Sequence, residues 1–433
     1  MTLKAFLSRH ISRLITSPRM AAWRRARASL PRRLKGGPVT ICYFHQADDP
    51  YAHLAVQAAR ELAARYRIRL VPHLVPPPDD GAAPERARLE EWSRRDAAAL
   101  AQRHGLAFPA NAAAPDQSLV AKANAALAAA LDAPDFFDRA IAIGAALWAH
   151  DASALEKFPA ATSGETAARM AHGAAIRKKY GHYLGATFFF EAEWYWGVDR
   201  LHYLETRLKK MRCEKTPGTS YIVPPLDIAC TKKPANGAKP VLDFFLSFRS
   251  PYTAIAIQRV RRLAAHYGAE LRLRFVLPMV MRGLPIPPLK RRYIPLDTKR
   301  EADRCGAPFG MVVDPVGKPT ERGLAVLHHA IAEGKGEAFA ESFLTGVFAH
   351  GIDAGSDAGL GFIAQRAGVS AETVKRALAD DSWRKVAEAN RTEMFARGIW
   401  GVPSFRVNDG PVIWGQDRLW QIEDQLIAAT DAR

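Results

Sequence analysis

Residues 241–253 read VLDFFLSFRSPYT, and the way this stretch is divided decides the fold. The apolar run VLDFFL predicts a buried strand over 241–246. Ser250 followed by Pro251 marks a helix start, because serine is a favoured N-cap and proline a favoured first helical residue. Beyond it, Tyr252, Ile255, Ala256, Val260, Leu263, Ala264 and Tyr267 fall on one face of a helix over about 252–267. Gly268 ends that helix, and a second strand is predicted over 270–277. The unit is β-α-β, with two hydroxyls, Ser250 and Thr253, at the strand–helix junction.

The same pattern occurs earlier in the chain. Asp49-Pro50-Tyr51 aligns with Ser250-Pro251-Tyr252 at an offset of 201 residues, and the register holds without a gap to Pro77 and Pro278. RELAARY (60–66) then faces RRLAAHY (261–267), and each run follows an aromatic-rich strand, ICYF or VLDFFL. A second match closes each copy: EWYWGVDRL (193–201) and PVIWGQDRL (411–419) share Trp-Gly-x-Asp-Arg-Leu. Two matches in the same order imply a tandem duplication. Residues 206–240, rich in Lys, Pro, Gly and Thr, read as the linker, although YIVPPLDI within it is apolar enough to pack. In the second copy a helical stretch over about 297–396 precedes FRVND, PVIW and a last helix from about 417. The order is β-α-β, helical insert, β-β-α.

The chain has 433 residues, too many for one ordinary core at roughly 100–200 residues per domain. No run approaches the ~18 consecutive apolar residues that a membrane span needs. The net charge of +17 is concentrated at the start: residues 1–36 hold ten Lys and Arg side chains and no acid, which leaves +7 for the rest. No nucleic-acid recognition motif accompanies the charge, so no nucleic-acid partner is expected. Leu3, Leu7, Ile11 and Leu14 recur at helical spacing among Lys4, Arg9 and Arg13 until Pro18. Two readings stay open for this arm, an amphipathic segment on an anionic membrane surface or a disordered solubilising tail.

Cys42, Cys213, Cys230 and Cys305 form no Cys-x-x-Cys and no metal-ligand spacing. We read them as free thiols of a cytoplasmic chain and expect no metal. His150, His328, His329 and His350 read as surface or packing residues. GMVVDPVGKP (310–319) lacks the glycine spacing of a phosphate loop, and neither Gly-x-Ser-x-Gly nor a dinucleotide fingerprint is present.

Read as residues alone, Ser250 is a helix cap whose hydroxyl can also donate a hydrogen bond to an anion at the partly positive helix start. Pro403 in Gly401-Val402-Pro403-Ser404 begins a strand in trans or forms a cis turn. Asp417 either caps the last helix or joins Gln416 in holding the charged ends of a ligand.

DFFLSFRSPYT, PPLKRRY (287–293) with DTKREADRCGAPF, GVPSF and WGQDRL, in this order, resemble the kappa-class glutathione transferase and 2-hydroxychromene-2-carboxylate isomerase family of the DsbA-like branch. The resemblance spans about 240–428. It implies an α/β chain of two tandem thioredoxin-like (DsbA/kappa-type) domains, each with a helical insertion: a basic arm (1–36), a degenerate domain (37–205), a linker (206–240) and a glutathione-binding domain (241–428). It further implies that Ser250 hydrogen-bonds the glutathione sulfur and favours its thiolate, with Pro251 and Tyr252 beside it. Val402, before a cis-Pro403, pairs with the cysteinyl backbone, Gln416 and Asp417 hold the γ-glutamyl end, and Lys290 reaches the other side of the ligand.

Ser247 and Arg249 depart from the family, where many members have an acid and a small or aliphatic residue. Arg249 either lowers a bound thiol's pKa and attracts an anionic co-substrate, or points to solvent. In the first copy Asp49 replaces Ser250, Ala52 replaces Thr253, and LGATF (184–188) replaces GVPSF, so that Ala186 stands for the proline. An aspartate would repel a thiolate, and this copy is expected to keep the fold without the chemistry, Asp199 and Arg200 surviving as a cap and a buried salt bridge. The resulting expectation is a glutathione-dependent isomerase or transferase whose partners are glutathione and an electrophilic aromatic or unsaturated carboxylate. A non-catalytic binding module is the alternative from another class, and a thiol–disulfide oxidoreductase is disfavoured by Ser250 and Thr253.

Overall fold

The computed structural model describes residues 3–235, 237–284 and 286–431. Two compact units divide the chain: residues 22–225, and residues 226–433 together with 1–21. The basic arm is helical, as α1 (Leu3–Ile15) and α2 (Pro18–Leu34). Helix α1 lies in the same unit as the C-terminal half of the chain.

Residues 22–225 contain β1 (Thr40–His45), α3 (Pro50–Arg65) and β2 (Arg69–Leu74). The helices α4 (Arg86–His104), α5 (Gln117–Ala130), α6 (Phe136–Trp148), α7 (Ala152–Leu155) and α8 (Ser163–Tyr180) follow. The unit closes with β3 (Thr187–Phe190), β4 (Glu193–Trp196) and α9 (Leu201–Lys210). Its sheet has the order β2-β1-β3-β4, with β1 and β2 parallel and the other pairs antiparallel.

The C-terminal half repeats this order. It has β5 (Val241–Leu246), α10 (Pro251–His266) and β6 (Glu270–Phe275). The helices α11 (Pro288–Cys305), α12 (Lys318–Ala332), α13 (Gly336–Phe348), α14 (Asp357–Arg366), α15 (Ala371–Leu378) and α16 (Trp383–Ala396) come next. Strands β7 (Ser404–Val407) and β8 (Ile413–Trp414) and helix α17 (Leu419–Thr430) complete it. The sheet order is β6-β5-β7-β8, again with one parallel pair, β5 with β6.

The first strand and helix of the C-terminal half fall where the apolar pattern puts them, because both faces of β5 are covered and one face of α10 supplies Ile255, Val260 and Leu263 to the core. Phe248, just past β5, stacks on Phe343 of α13 with ring centroids 4.0 Å apart. Gly323 lets the two rings meet, since a Cβ there would come within 2.4 Å of Phe343. Two boundaries move. The helical insert begins at Pro288 and not near residue 297, so most of PPLKRRY lies in α11. The last helix begins at Leu419 after a 3-10 turn over Gln416–Arg418. Its cap position is therefore Arg418, which corrects the reading of Asp417 as the cap. The equivalent position at α9 is Arg200 and not Asp199.

The apolar linker segment packs as expected: Val223 and Ile228 are buried. One carboxylate in each unit fastens it, Glu205 accepting the Ile222 N–H at 3.0 Å and Glu423 the Ala229 N–H at 2.7 Å. Tyr66 donates to Glu205 at 3.0 Å, as Tyr267 does to Glu423 at 3.0 Å.

Candidate functional site

The site is built where β5 hands over to α10. Ser247, buried, accepts the Arg249 N–H on its hydroxyl at 3.4 Å and takes the Ser250 N–H on its carbonyl at 3.1 Å, which turns the chain into the helix. Ser250 is the N-cap, its Oγ accepting the Thr253 N–H at 3.2 Å. The Ser250 hydroxyl proton goes to the Val402 carbonyl at 3.4 Å, well beyond the usual O–H···O range of about 2.5–3.0 Å. The cap bond fixes the oxygen while the proton is held loosely. A stronger acceptor at the helix start could take it without uncapping the helix.

The Val402–Pro403 peptide bond is cis, as the resemblance implied, and the Pro403 carbonyl accepts the Gly415 N–H at 3.0 Å. Val402 is half-buried and faces Ser250 through its carbonyl. Gly401 is required beside it: an added Cβ would lie 2.7 Å from the Trp414 ring. Trp414 in turn lies against Trp400, with ring centroids 4.8 Å apart. These indoles give the loop an aromatic neighbour that the sequence reading did not single out.

Tyr252 sits beside Ser250 in the first turn, but its hydroxyl points elsewhere, donating to Asp297 of α11 at 2.8 Å. Tyr293 donates to the other oxygen of the same carboxylate at 3.2 Å. Asp297 is fully buried, and the two phenols supply the donors that a buried charge needs. This pair pins α11 against the start of α10. Lys290 lies in the first turn of α11, half-buried, and burial lowers its pKa below the ordinary lysine value. The hydroxyl of Thr253, fully buried, has no hydrogen-bond partner among the described residues.

Gln416 is held inside the protein. It is 2% exposed, its Oε1 accepts from Arg259 at 2.7 Å, and its Nε2 donates to Glu301 at 2.9 Å. Both ends of the amide are engaged inside the protein. Its side chain holds Arg259 and Glu301, and detaching it would leave both buried and underpaired. Asp417, half-buried in the same 3-10 turn with Oδ1 3.6 Å from Arg418 Nη1, is left at that end of the site.

Arg249, left open in the sequence between acting on a bound thiol or anion and pointing to solvent, is drawn into an ion pair. Its guanidinium makes a two-pronged contact with Asp314, at 2.8 and 2.7 Å. That geometry neutralises the cation and ties the junction to the loop before α12.

In the N-terminal unit the corresponding position holds Asp49, whose carboxylate caps α3 by accepting the Tyr51 N–H at 2.9 Å. Burial pushes its pKa up to about 7. Ala186 stands in the left-handed region at φ 51°, and Gly185 passes so close to Gln46 that a Cβ would come within 2.7 Å. Tyr51 donates to Asp96 at 2.8 Å, the counterpart of Tyr252 and Asp297 at the same separation of 45 residues.

All four cysteines are free thiols, none of them in the α10 junction. Among the described residues no group of three or more His, Cys, Asp or Glu side chains could hold a metal ion.

Residues 241–427 match the family model of the DSBA-like thioredoxin domain. Over 194 residues, 43% of this chain and 94% of the relative, the sequence is 23% identical to 2-hydroxychromene-2-carboxylate isomerase from Pseudomonas putida. A solved 2-hydroxychromene-2-carboxylate isomerase is similar at 22% identity over 43% of this chain and 94% of its own, with a TM-score of 0.38. The cytosolic disulfide reductase DsbM from Pseudomonas aeruginosa is similar at 18% identity over 43% of this chain and 99% of its own, with a TM-score of 0.34. The C-terminal half is thus a DsbA-like thioredoxin domain with a distant isomerase homologue.

Proposed function

We propose that the C-terminal domain is a glutathione-dependent isomerase or transferase acting on an electrophilic aromatic or unsaturated carboxylate. The observation that carries this reading is the Ser250 hydroxyl, fixed at a helix start with a weakly committed proton, in a junction that contains no thiol of its own. The residues at the sulfur end fit glutathione: a helix start favours an anion, Ser250 can donate to it, and the buried Thr253 hydroxyl lacks a partner in the same turn. At the γ-glutamyl end the fit rests on Asp417, because Gln416 is engaged internally.

Glutathione, when bound, supplies a thiolate nucleophile to an electrophilic carbon. Ser250 holds that sulfur ionised by donating its proton as a hydrogen bond, without leaving its cap position. The backbone groups of Val402 pair with an extended peptide in strand fashion. Lys290 provides a cation, and a bound carboxylate beside it would raise its pKa against the lowering effect of burial. Trp414, half-buried and backed by the buried Trp400, offers an apolar face for an aromatic ring. The similarity to the Pseudomonas putida isomerase favours reversible addition and elimination; release of the adduct would make the same site a transferase.

We also infer that the chain is a tandem duplication whose first copy lost the glutathione chemistry. The shared strand order and the paired Tyr51–Asp96 and Tyr252–Asp297 bonds support this, and Asp49 and Ala186 are the changes that remove the site. Four unpaired thiols suit a reducing compartment, which supports a cytoplasmic location as part of this reading.

The test is glutathione titration by calorimetry on the intact protein, Ser250→Ala and Asp49→Ala, followed by a chromene-carboxylate isomerisation assay. Binding by the intact protein that weakens with Ser250→Ala supports the reading. No binding to the intact protein sinks it, and loss only with Asp49→Ala would move the site to the other copy.

A further inference from the structure

A helix on the surface of a globular domain ordinarily turns its apolar stripe inward. Helix α1 does the reverse. Ser8, Ser12 and Thr16, four residues apart, form a hydroxyl ridge against the loop before α12. Ser8 donates to the Val312 carbonyl at 3.0 Å, Ser12 accepts the Val312 N–H at 2.8 Å, and Thr16 donates to the Gly310 carbonyl at 3.2 Å. The stem of Arg9 lies so close to Gly351 that an added Cβ would meet it at 2.6 Å.

The opposite face carries Phe6, Leu7, Ile11 and Leu14, exposed by 45, 48, 54 and 57%. Leu7, Ile11 and Leu14 are spaced as one stripe along the helix. The helix spends its polar side on the protein and leaves its apolar side outward. Helix α2 likewise exposes Trp23, Leu30 and Leu34.

Charge selects what covers this face. Within the unit that holds α1, residues 1–21 carry four basic side chains, Lys4, Arg9, Arg13 and Arg19, and no acid. A second copy applied through the same surface would oppose like charges around the apolar contact, which is unfavourable. An anionic lipid surface satisfies both features at once, because acyl chains receive the apolar stripe and headgroups receive the flanking cations. No described helix is long and apolar enough to cross a membrane, so the contact is one of lying on the surface. We propose that the outer face of α1 docks the protein on an anionic membrane surface, while its hydroxyl ridge holds the helix to the C-terminal domain. The proposal is independent of what the Ser250 site binds.

The test is co-sedimentation of the full-length protein with vesicles of phosphatidylcholine alone or mixed with phosphatidylserine. Binding to the mixed vesicles, on the order of tenfold tighter than to neutral ones and released by salt, is expected. The triple variant Leu7→Gln, Ile11→Gln, Leu14→Gln should weaken that binding on the order of tenfold or more with an unchanged melting temperature, since the residues lie on the surface. A double variant, Ser8→Ala and Ser12→Ala, loosens the ridge and leaves the outer face intact; it should still bind. Failure of the wild type to bind anionic vesicles at low salt overturns the proposal, as does undiminished binding of the triple variant. Overturning it equally would be a wild-type dimer, insensitive to vesicles, that the triple variant converts to a monomer in the ultracentrifuge.

Discussion

At residue 250 two requirements can be separated by one substitution. The helix needs an oxygen acceptor for the Thr253 N–H, and a thiolate needs a donor. Aspartate meets the first and opposes the second, as Asp49 demonstrates by capping α3. Ser250→Asp should therefore melt within about 1 kcal/mol of the wild type while glutathione affinity falls on the order of tenfold or more, read by calorimetry against thermal denaturation. Asp49 itself makes stability depend on pH. Its carboxyl pKa is raised from 3.8 to about 7. The folded protein thus holds a proton that the unfolded chain has released, and this contribution is complete below the unfolded value and is lost as pH rises through about 7. Melting temperature should fall as pH rises from about 4 to about 7 and level off above it, and Asp49→Asn should flatten that slope by about 1 kcal/mol per pH unit while keeping the cap.

Elements are joined by side chains that act over long separations. The Tyr252–Asp297 bond ties the first helix of the C-terminal domain to the first helix of its insert, and Tyr51–Asp96 does so in the other unit. Tyr252→Phe leaves a fully buried carboxylate with one phenolic donor fewer, and Tyr51→Phe should do the same to Asp96. Each is expected to cost about 1–3 kcal/mol in urea denaturation. This scale also shows what the sequence could and could not say. Strand β5 and helix α10 were legible because an apolar run and a Ser-Pro start are local signals. Asp297 was not, since nothing near DTKREADR marks that aspartate as the partner of a tyrosine 45 residues earlier. The internal partners of Gln416 were hidden for the same reason: WGQDRL shows its place in the motif, but only folding brings Arg259 and Glu301 to its two ends. Arg249 depended on Asp314, 65 residues on, and so its neutralisation was invisible in SFRSPYT.

For the whole molecule the boundary of cooperative units differs from the order of the chain. Residues 1–21 belong with the C-terminal half although more than two hundred residues intervene. Removing them deletes the hydroxyl ridge on the loop at 310–312, so the truncated protein should show a lowered transition for the C-terminal unit in calorimetry. The transition of residues 22–225 should stay in place. The arm's helical spacing was readable in the sequence; its docking through serines was not, since hydroxyls spaced by four on a basic helix ordinarily read as solvated.

The loop before α12 is gripped twice. Asp314 takes the guanidinium of Arg249, the residue next to Ser250, and two residues earlier Val312 takes the hydroxyls of α1. Five residues, 310–314, thus form a strut with the candidate thiol site at one end and the outward-facing helix at the other. A strut transmits in both directions: whatever lipid contact does to ligand affinity through it, ligand must do to lipid affinity by the same factor. If both proposals hold, Arg249, whose charge is satisfied by Asp314, is the joint between that strut and the helix start.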